Sequence, residues 1–471
     1  MRRTVRSLVG FCGGGLGLIV ALSPAEAGET TPNDPVYEEG LQWGLERIGA
    51  PAAWAVGTGE GTTIAVVDSG VDLTHEDLVP QLEGNVSCVG SGGNAAACSG
   101  SGQDDNGHGT HVAGIALAAT DNSRGVAGVA PGARLLAVRV LENTCEGSDP
   151  CTATGSADDV AAGIRWAADQ GADVINLSLG GGTLEGVSGC AFCDAVEYAW
   201  SKGAIAVVAA GNESGLPASF SDEHAVIVTA TTRADTRASY GQASTAGLTA
   251  ARWPVSAPGG EAEEDPDDCS TDGTPKGILS TYWAEGEQNR YACSAGTSMA
   301  APHVSAALAV LRGTGLSPQA SIERLVQTSQ DLGAPGRDRE FGIGRIDLGR
   351  AVGTAPGGTA TTSTVAGTTT SASVVVAGDE GSSTTTAPAV TTTTAPPVSL
   401  PPVAAPAPFD TAAPPVDGDP LPGGLVALAM LAVLAAGGAS VATARRLAHA
   451  NRAAAGTTAG TAYGGAPPPG P

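Results

Sequence analysis

The chain has 471 residues, 48 acidic against 23 basic, and a formal charge of −25. A nucleic-acid binder needs cations to displace counterions from phosphate, so a balance this acidic excludes nucleic acid as a partner. Length alone allows two or three domains, but the composition changes sharply along the chain.

The first segment reads as an export signal. Arg2, Arg3 and Arg6 make a basic start, residues 8–22 an apolar run, and Ala25-Glu26-Ala27 a small-residue cleavage site, which predicts a signal peptide over 1–27. A short polar extension, 28–40, follows. Residues 41–352 read as one globular domain. Thr62–Val67, Ala133–Val140, Asp173–Leu179, Ala204–Ala210 and Ala225–Thr231 are unbroken apolar runs rich in Val and Ile. Such runs suit strands covered on both faces. Thr110–Thr120 and Asp158–Gln170 read as helices between them. The alternation predicts an α/β fold, a doubly wound and mostly parallel sheet with helices on both faces. Functional groups in such sheets gather at the carboxyl ends of the strands. Asp68 directly follows one predicted strand and Asn212 another.

Residues 353–422 are rich in Thr, Ala, Pro, Ser and Val and cannot bury a core, which predicts an extended stalk. Residues 423–443 carry no charge. At about 1.5 Å per residue a helix of this length crosses a bilayer core. Arg445, Arg446 and Arg452 follow it, which predicts a transmembrane helix, a cytoplasmic tail over 444–471 and an extracytoplasmic main domain. Leu421-Pro422 before this stretch also suggests a cell-wall sorting signal, but Gly424-Leu425 stand where that signal needs threonine and glycine.

Of nine cysteines, Cys12 lies in the export signal. The rest outside the cytoplasm predict disulfides. Short loops close easily, so the expected pairs are Cys88–Cys98, Cys145–Cys151, Cys190–Cys193 and Cys269–Cys293. A redox or zinc role for Cys190-Ala-Phe-Cys193 lacks a second CxxC or a nearby histidine. The acidic run from Glu261 to Asp268 reads as a solvated loop.

Three segments carry the chemistry. Ser298, in Gly296-Thr297-Ser298-Met299-Ala300-Ala301-Pro302, sits on a glycine turn entering a helix. A serine hydroxyl is a poor nucleophile without a base in hydrogen-bond reach, and backbone N–H groups at a helix start can hold an oxyanion. The expected base is His108, in Asn106-Gly107-His108-Gly109-Thr110-His111, whose flanking glycines let the backbone crowd a cleft. His111 reads as structural, and His303 as a packing or surface residue. The base needs an acceptor on its other nitrogen. Asp68, in Val66-Val67-Asp68-Ser69-Gly70-Val71-Asp72, ends an apolar strand, where a carboxylate is costly to bury without a partner. Asp72 lies past the turn and reads as structural.

These three segments, in the order Asp, His, Ser, resemble the subtilisin-like serine proteases, over about residues 41–352. The resemblance implies an endopeptidase acting on polypeptides, with Asp68, His108 and Ser298 as its triad and no cofactor required for the chemistry. It assigns Asn212 as a side-chain oxyanion donor. Ser178-Leu179-Gly180-Gly181 would be the edge that pairs with an extended substrate, and Gly211 part of the pocket before the scissile bond. Glu213 beside it reads either as favouring basic or polar side chains or as a solvated rim residue. Asp77, Asp121 and Asn122 match positions of a structural calcium site. Gln42–Ile48 resembles the thermitase-like branch. Few residues separate the predicted signal from Gln42, so no inhibitory folding domain is expected there. That feature, the disulfides and the anchor also resemble mycosins, which implies a secretion-system membrane complex as partner.

Overall fold

A computed structural model describes residues 31–144, 152–179, 192–212, 223–240, 248, 251–261, 269 and 275–353. The main sheet is built from β1 (Thr63–Asp68), β2 (Leu82–Ser87), β3 (Arg134–Arg139), β6 (Val174–Leu177), β7 (Ile205–Ala209), β8 (Ala225–Thr231) and β9 (Trp253–Pro258). Its order is β2-β3-β1-β6-β7-β8-β9, and every pairing in it is parallel. Two separate antiparallel hairpins join β4 (Glu142–Thr144) to β5 (Thr152–Thr154), and β10 (Ile278–Tyr282) to β11 (Arg290–Ser294).

The expected strands are present because both faces of the sheet are covered. Along β1, Ile64 and Val66 enter one core cluster while Ala65 and Val67 enter the other. Successive side chains of a strand point to opposite faces, so a strand buried on both sides is mostly apolar. The first face packs against the helices His108–Leu117 (α4) and Thr297–Gly313 (α7); the second packs against Ala157–Asp169 (α5) and Cys193–Ser201 (α6). The doubly wound α/β reading is therefore correct for the described residues. The predicted stalk, transmembrane segment and tail lie outside them, and no described helix is long and apolar enough to cross a membrane.

The hairpin strands β4, β5, β10 and β11 were not predicted, and two strands of the main sheet were missed for different reasons. In β2 exposure alternates and only Val86 is buried, because β2 is a sheet edge. β9 is buried but contains Pro254 and Pro258. Proline cannot donate to a ladder and is tolerated in edge strands, and β9 is the other edge.

The helix predicted over Thr110–Thr120 instead spans His108–Leu117. Gly107 (φ 102°) starts it, and Ala118 leaves the helix in an extended conformation (ψ 142°). Winding reverses between β1 and β6, which are neighbours although distant in sequence. The carboxyl ends at this crevice deliver Asp68 from β1 and Ser178 from β6, and adjacent β7 delivers Asn212. Disulfides join Cys88 to Cys98 and Cys269 to Cys293, as expected from their spacing. Cys193 is disulfide-bonded too; Cys145, Cys151 and Cys190 lie outside the described residues.

Candidate active site

Asp68 is fully buried, and His108 Nδ1 stands 2.7 Å from its Oδ1. The same oxygen accepts the Ser69 backbone N–H at 2.7 Å. Oδ2 is buried with no donor among the described residues. A buried carboxylate this sparsely bonded is best stabilised by a positive imidazole beside it. Burial of His108 works against its protonation, but the charge and hydrogen bond of Asp68, with the charge of Asp104 added, raise its pKa above the ordinary value. With Nδ1 held by Asp68, Nε2 is the nitrogen left for proton transfer.

The glycines around His108 do a different job from the one expected. A Cβ on Gly109 would stand 2.0 Å from the Gly70 carbonyl oxygen and 3.1 Å from Asp68 Cβ. One on Gly107 would stand 2.5 Å from Tyr282 Cζ. They let α4 close against the Asp68 turn and the β10–β11 hairpin, which brings base and carboxylate into contact.

Ser298 is the second residue of α7. Its Oγ donates to the Ser178 carbonyl at 3.0 Å, rather than to His108. Catalytic hydrogen bonds are often loose before substrate binds. Pro302 lies inside the same helix and lacks the N–H that would satisfy the carbonyl four residues back, that of Ser298. Ser178 Oγ donates to that carbonyl at 2.7 Å and accepts from Asn176 Nδ2 at 2.9 Å. Ser178 is thus bolted to the backbone of Ser298, a contact that its reading as a substrate edge did not include. Leu179 is buried, and Gly180 lies outside the described residues.

Asn212 Oδ1 accepts from the backbone N–H of Thr297 and from its hydroxyl, both at 3.0 Å. A backbone N–H can only donate, so it fixes the orientation of the amide and leaves Nδ2 as the free donor. A Cβ on Gly296 would stand 3.2 Å from Asn212 Nδ2 and 3.6 Å from Ser298 N, so both N–H groups lie beside the approach to Ser298. Gly211 (φ 89°) makes the turn after β7, and its N–H donates to Thr297 Oγ1 at 3.1 Å.

Of the nominated calcium residues, Asp77 and Asn122 are in contact, and Asp121 reaches the same region through its backbone. Asp77 is buried, and its carboxylate accepts from Asn122 Nδ2, the Val126 N–H and the Tyr291 hydroxyl at 2.8, 3.0 and 2.8 Å. Asn122 Oδ1 is taken by the Arg124 N–H. Asp121 is exposed and contributes its backbone N–H to Asp34. Asp34, which the sequence reading missed, is fully buried. Burial raises its pKa against the N–H groups of Asp121 and Asn122, and the charge of Asp77 raises it further. No cluster of three or more His, Cys, Asp or Glu side chains suited to a metal occurs among the described residues. Two buried carboxylates without an ion pair nonetheless leave local negative charge that suits a hard cation.

His111 and His303 are structural, as read for the first and as packing for the second. His111 Nε2 faces the carbonyls of Ile278 and Ala292 at 3.0 and 3.1 Å. His303 Nδ1 donates to the Met299 carbonyl at 2.8 Å. Asp72 caps its own turn through the N–H and hydroxyl of Thr74.

A family model described as the subtilase family matches residues 59–344. Thermitase of Thermoactinomyces vulgaris is 40% identical over 326 residues, covering 68% of this chain and 99% of that protein. Subtilisin Savinase of Lederbergia lenta is 37% identical over 281 residues, covering 58% of this chain and 85% of its own. A solved structure of a protease from Pseudoalteromonas arctica PAMC 21717 matches with a TM-score of 0.54 and 29% identity, covering 69% of this chain and 99% of that one. With its parallel sheet and the matched residues, the chain belongs to the subtilase family and is a serine endopeptidase that acts on polypeptides.

Proposed function

We propose that Ser298, His108 and Asp68 form the catalytic triad of a membrane-anchored, extracytoplasmic endopeptidase. The observation that carries the triad is the imidazole of His108, 29% exposed, held by Nδ1 at 2.7 Å from a fully buried carboxylate. His108 Nε2 takes the Ser298 proton as Oγ leaves the Ser178 carbonyl and attacks the peptide carbonyl. The oxyanion is held by Asn212 Nδ2 and the Ser298 N–H. His108 then protonates the leaving amine, and water releases the acyl-enzyme. Asp68 holds the imidazole in one tautomer and stabilises its positive form.

A structural calcium would be held by Asp34 and Asp77 and would neutralise their charge; it has no part in the chemistry. The uncharged stretch 423–443 and the arginines after it support the membrane anchor. A mycosin-type role in a type VII secretion complex is a narrower form of the same proposal, supported by the resemblance noted above and testable by copurification from membranes.

The test is labelling of the signal-cleaved protein with a fluorophosphonate, beside Ser298→Ala and His108→Ala. The expected result is one label on Ser298, lost in the first variant and slowed strongly in the second. Labelling at another serine, or none in the folded protein, would refute the assignment.

A further inference from the structure

Asp104 is 1% exposed, makes no ion pair among the described residues, and is used by no step above. Its Oδ1 accepts from Ser69 Oγ at 2.9 Å, the Asn106 N–H at 3.0 Å and the Gly107 N–H at 3.1 Å. Its Oδ2 accepts from the Thr110 N–H at 3.0 Å and the Thr110 hydroxyl at 2.5 Å. Five donors therefore converge on one buried carboxylate, and they come from two places. Ser69 follows Asp68, while Asn106, Gly107 and Thr110 bracket His108. Ser69 closes the link a second way, since its Oγ accepts the Gly109 N–H at 3.0 Å and its own N–H donates to Asp68 Oδ1.

We propose that Asp104 is a positioning residue that locks Asp68 and His108 at hydrogen-bonding distance and keeps a second negative charge beside the imidazole. The proposal rests on the triad reading. A neutral polar residue could cap the turn, but an ionised carboxylate accepts on both oxygens, with about four lone-pair sites for the five donors, so the three on Oδ1 share two. Its charge adds to that of Asp68 in raising the pKa of His108.

The other charged or titratable groups on the elements around His108 are accounted for. Asp105 pairs with Arg139 of β3 at 2.5 Å. His111 of α4 and His303 of α7 are held neutral by burial. In the β10–β11 hairpin, Tyr282 lies under Arg290. Glu142 of β4 is exposed. Asp68 and Asp104 are thus the two anionic groups that act on the imidazole from buried positions.

The test compares Asp104→Asn and Ser69→Ala with the parent in the signal-cleaved protein, by kcat/KM against pH, fluorophosphonate labelling rate and thermal unfolding. Asp104→Asn should lower kcat about ten- to a hundredfold, the scale of a misplaced catalytic group, and should move the acidic limb of the pH profile to lower pH. Ser69→Ala cuts the link toward Asp68 but leaves the Asp104 charge. It should lower kcat while the acidic limb stays in place. Folded variants with parental kcat and parental limbs would overturn the proposal. If Asp104→Asn does not fold, parental kcat in Ser69→Ala overturns it equally. Loss of labelling in the parent would instead overturn the triad reading, which separates the two failures.

Discussion

Two buried histidines should make this fold acid-labile well above the range where carboxylates titrate. Burial, joined at His111 by the charge of His108, pushes the pKa of His111 down to about 3, and burial pushes that of His303 down to about 4, against 6.5 in the unfolded chain. Hydrogen bonds to the carbonyls of Ala292, Ile278 and Met299 only partly oppose this. Both rings are neutral in the folded state while the unfolded chain takes up protons, so stability is present above pH 6.5 and is lost as pH falls toward the folded values. At 1.36 kcal/mol per unit, lowering the pH from 8 to 4.5 costs roughly 2–3 kcal/mol for each ring, together on the order of 5 kcal/mol. Typical total stability is about 5–15 kcal/mol, so the loss is a large share of the whole. Two groups oppose it. His108 and Asp34 have raised folded pKa values and bind protons more readily when folded. Asp159 is held low, despite its burial, by the N–H groups of Gly90 and Gly92 and the hydroxyls of Ser156 and Ser91, and it adds to the loss only near and below pH 4. The assay is urea unfolding in a Ser298→Ala background, where autolysis is stopped, at steps from pH 8 to 4.5. His303→Gln keeps a donor for the Met299 carbonyl and should remove about half of the pH-dependent loss, whatever its cost at pH 8. Equal slopes in parent and variant, or a parental loss below about 1 kcal/mol, would refute this account of the buried rings.

Asn212→Ala should lower kcat by about 10²–10³ with little change in KM, the scale seen for this oxyanion donor in subtilisins; steady-state kinetics on a peptide substrate measure it. Gly109→Ala places a methyl 2.0 Å from the Gly70 carbonyl oxygen, and backbone cannot yield as a flexible side chain can. A destabilisation of about 3 kcal/mol or more is expected, read by urea unfolding, with activity lost as Asp68 and His108 part. A calcium chelator should lower the melting temperature by about 5 °C, taking about 2.7 kcal/mol for calcium at a hundred times its Kd and about 2 °C per kcal/mol. Asp77→Asn should abolish the chelator's effect, and a parent that does not respond would remove calcium from the account.

The parts of the fold that could be read from sequence are those whose environment is uniform. β1, β7 and β8 are buried on both faces, so Ile64–Val67, Ile205–Ala209 and Ala225–Val228 within them are apolar without interruption. β2 and β9 are edges, where half-exposed polar residues or prolines are tolerated. Helix α7 continues through Pro302 because a tertiary contact, Ser178 Oγ on the Ser298 carbonyl, supplies the missing donor. The site divides in the same way. Asp68, His108 and Ser298 each sit in a short motif with its own local chemistry. Asp34 could not be seen because its partners lie in the 121–122 loop, far along the chain. Asp104 was hidden differently, as one of two adjacent aspartates. One faces Arg139 at the surface and the other is buried among N–H groups. The available signal was turn chemistry, an aspartate whose side chain accepts from the second and third residues after it, before Asn-Gly.

His108, His111 and His303, on the helices α4 and α7, explain why composition and spacing alone cannot name a base. His108 and His111 share one helix, and His303 lies on α7, which also carries Ser298. All three lose hydration, which disfavours the charged ring in each case. His111 and His303 have no carboxylate partner, and the carbonyl dipoles they meet are too weak to offset that loss; at His111 the charge of His108 adds to it, so both stay neutral and serve packing. His108 meets the full charges of two buried aspartates, and its pKa moves the other way. A general base works best when its pKa lies near the working pH, and only the ring with carboxylate neighbours is placed to meet that condition. In the proposed triad the choice of base is thus made by Asp68 and Asp104 rather than by the imidazole itself. Removing the charge of Asp104 while keeping its shape should therefore change the pH at which the enzyme works, and not merely how fast it works.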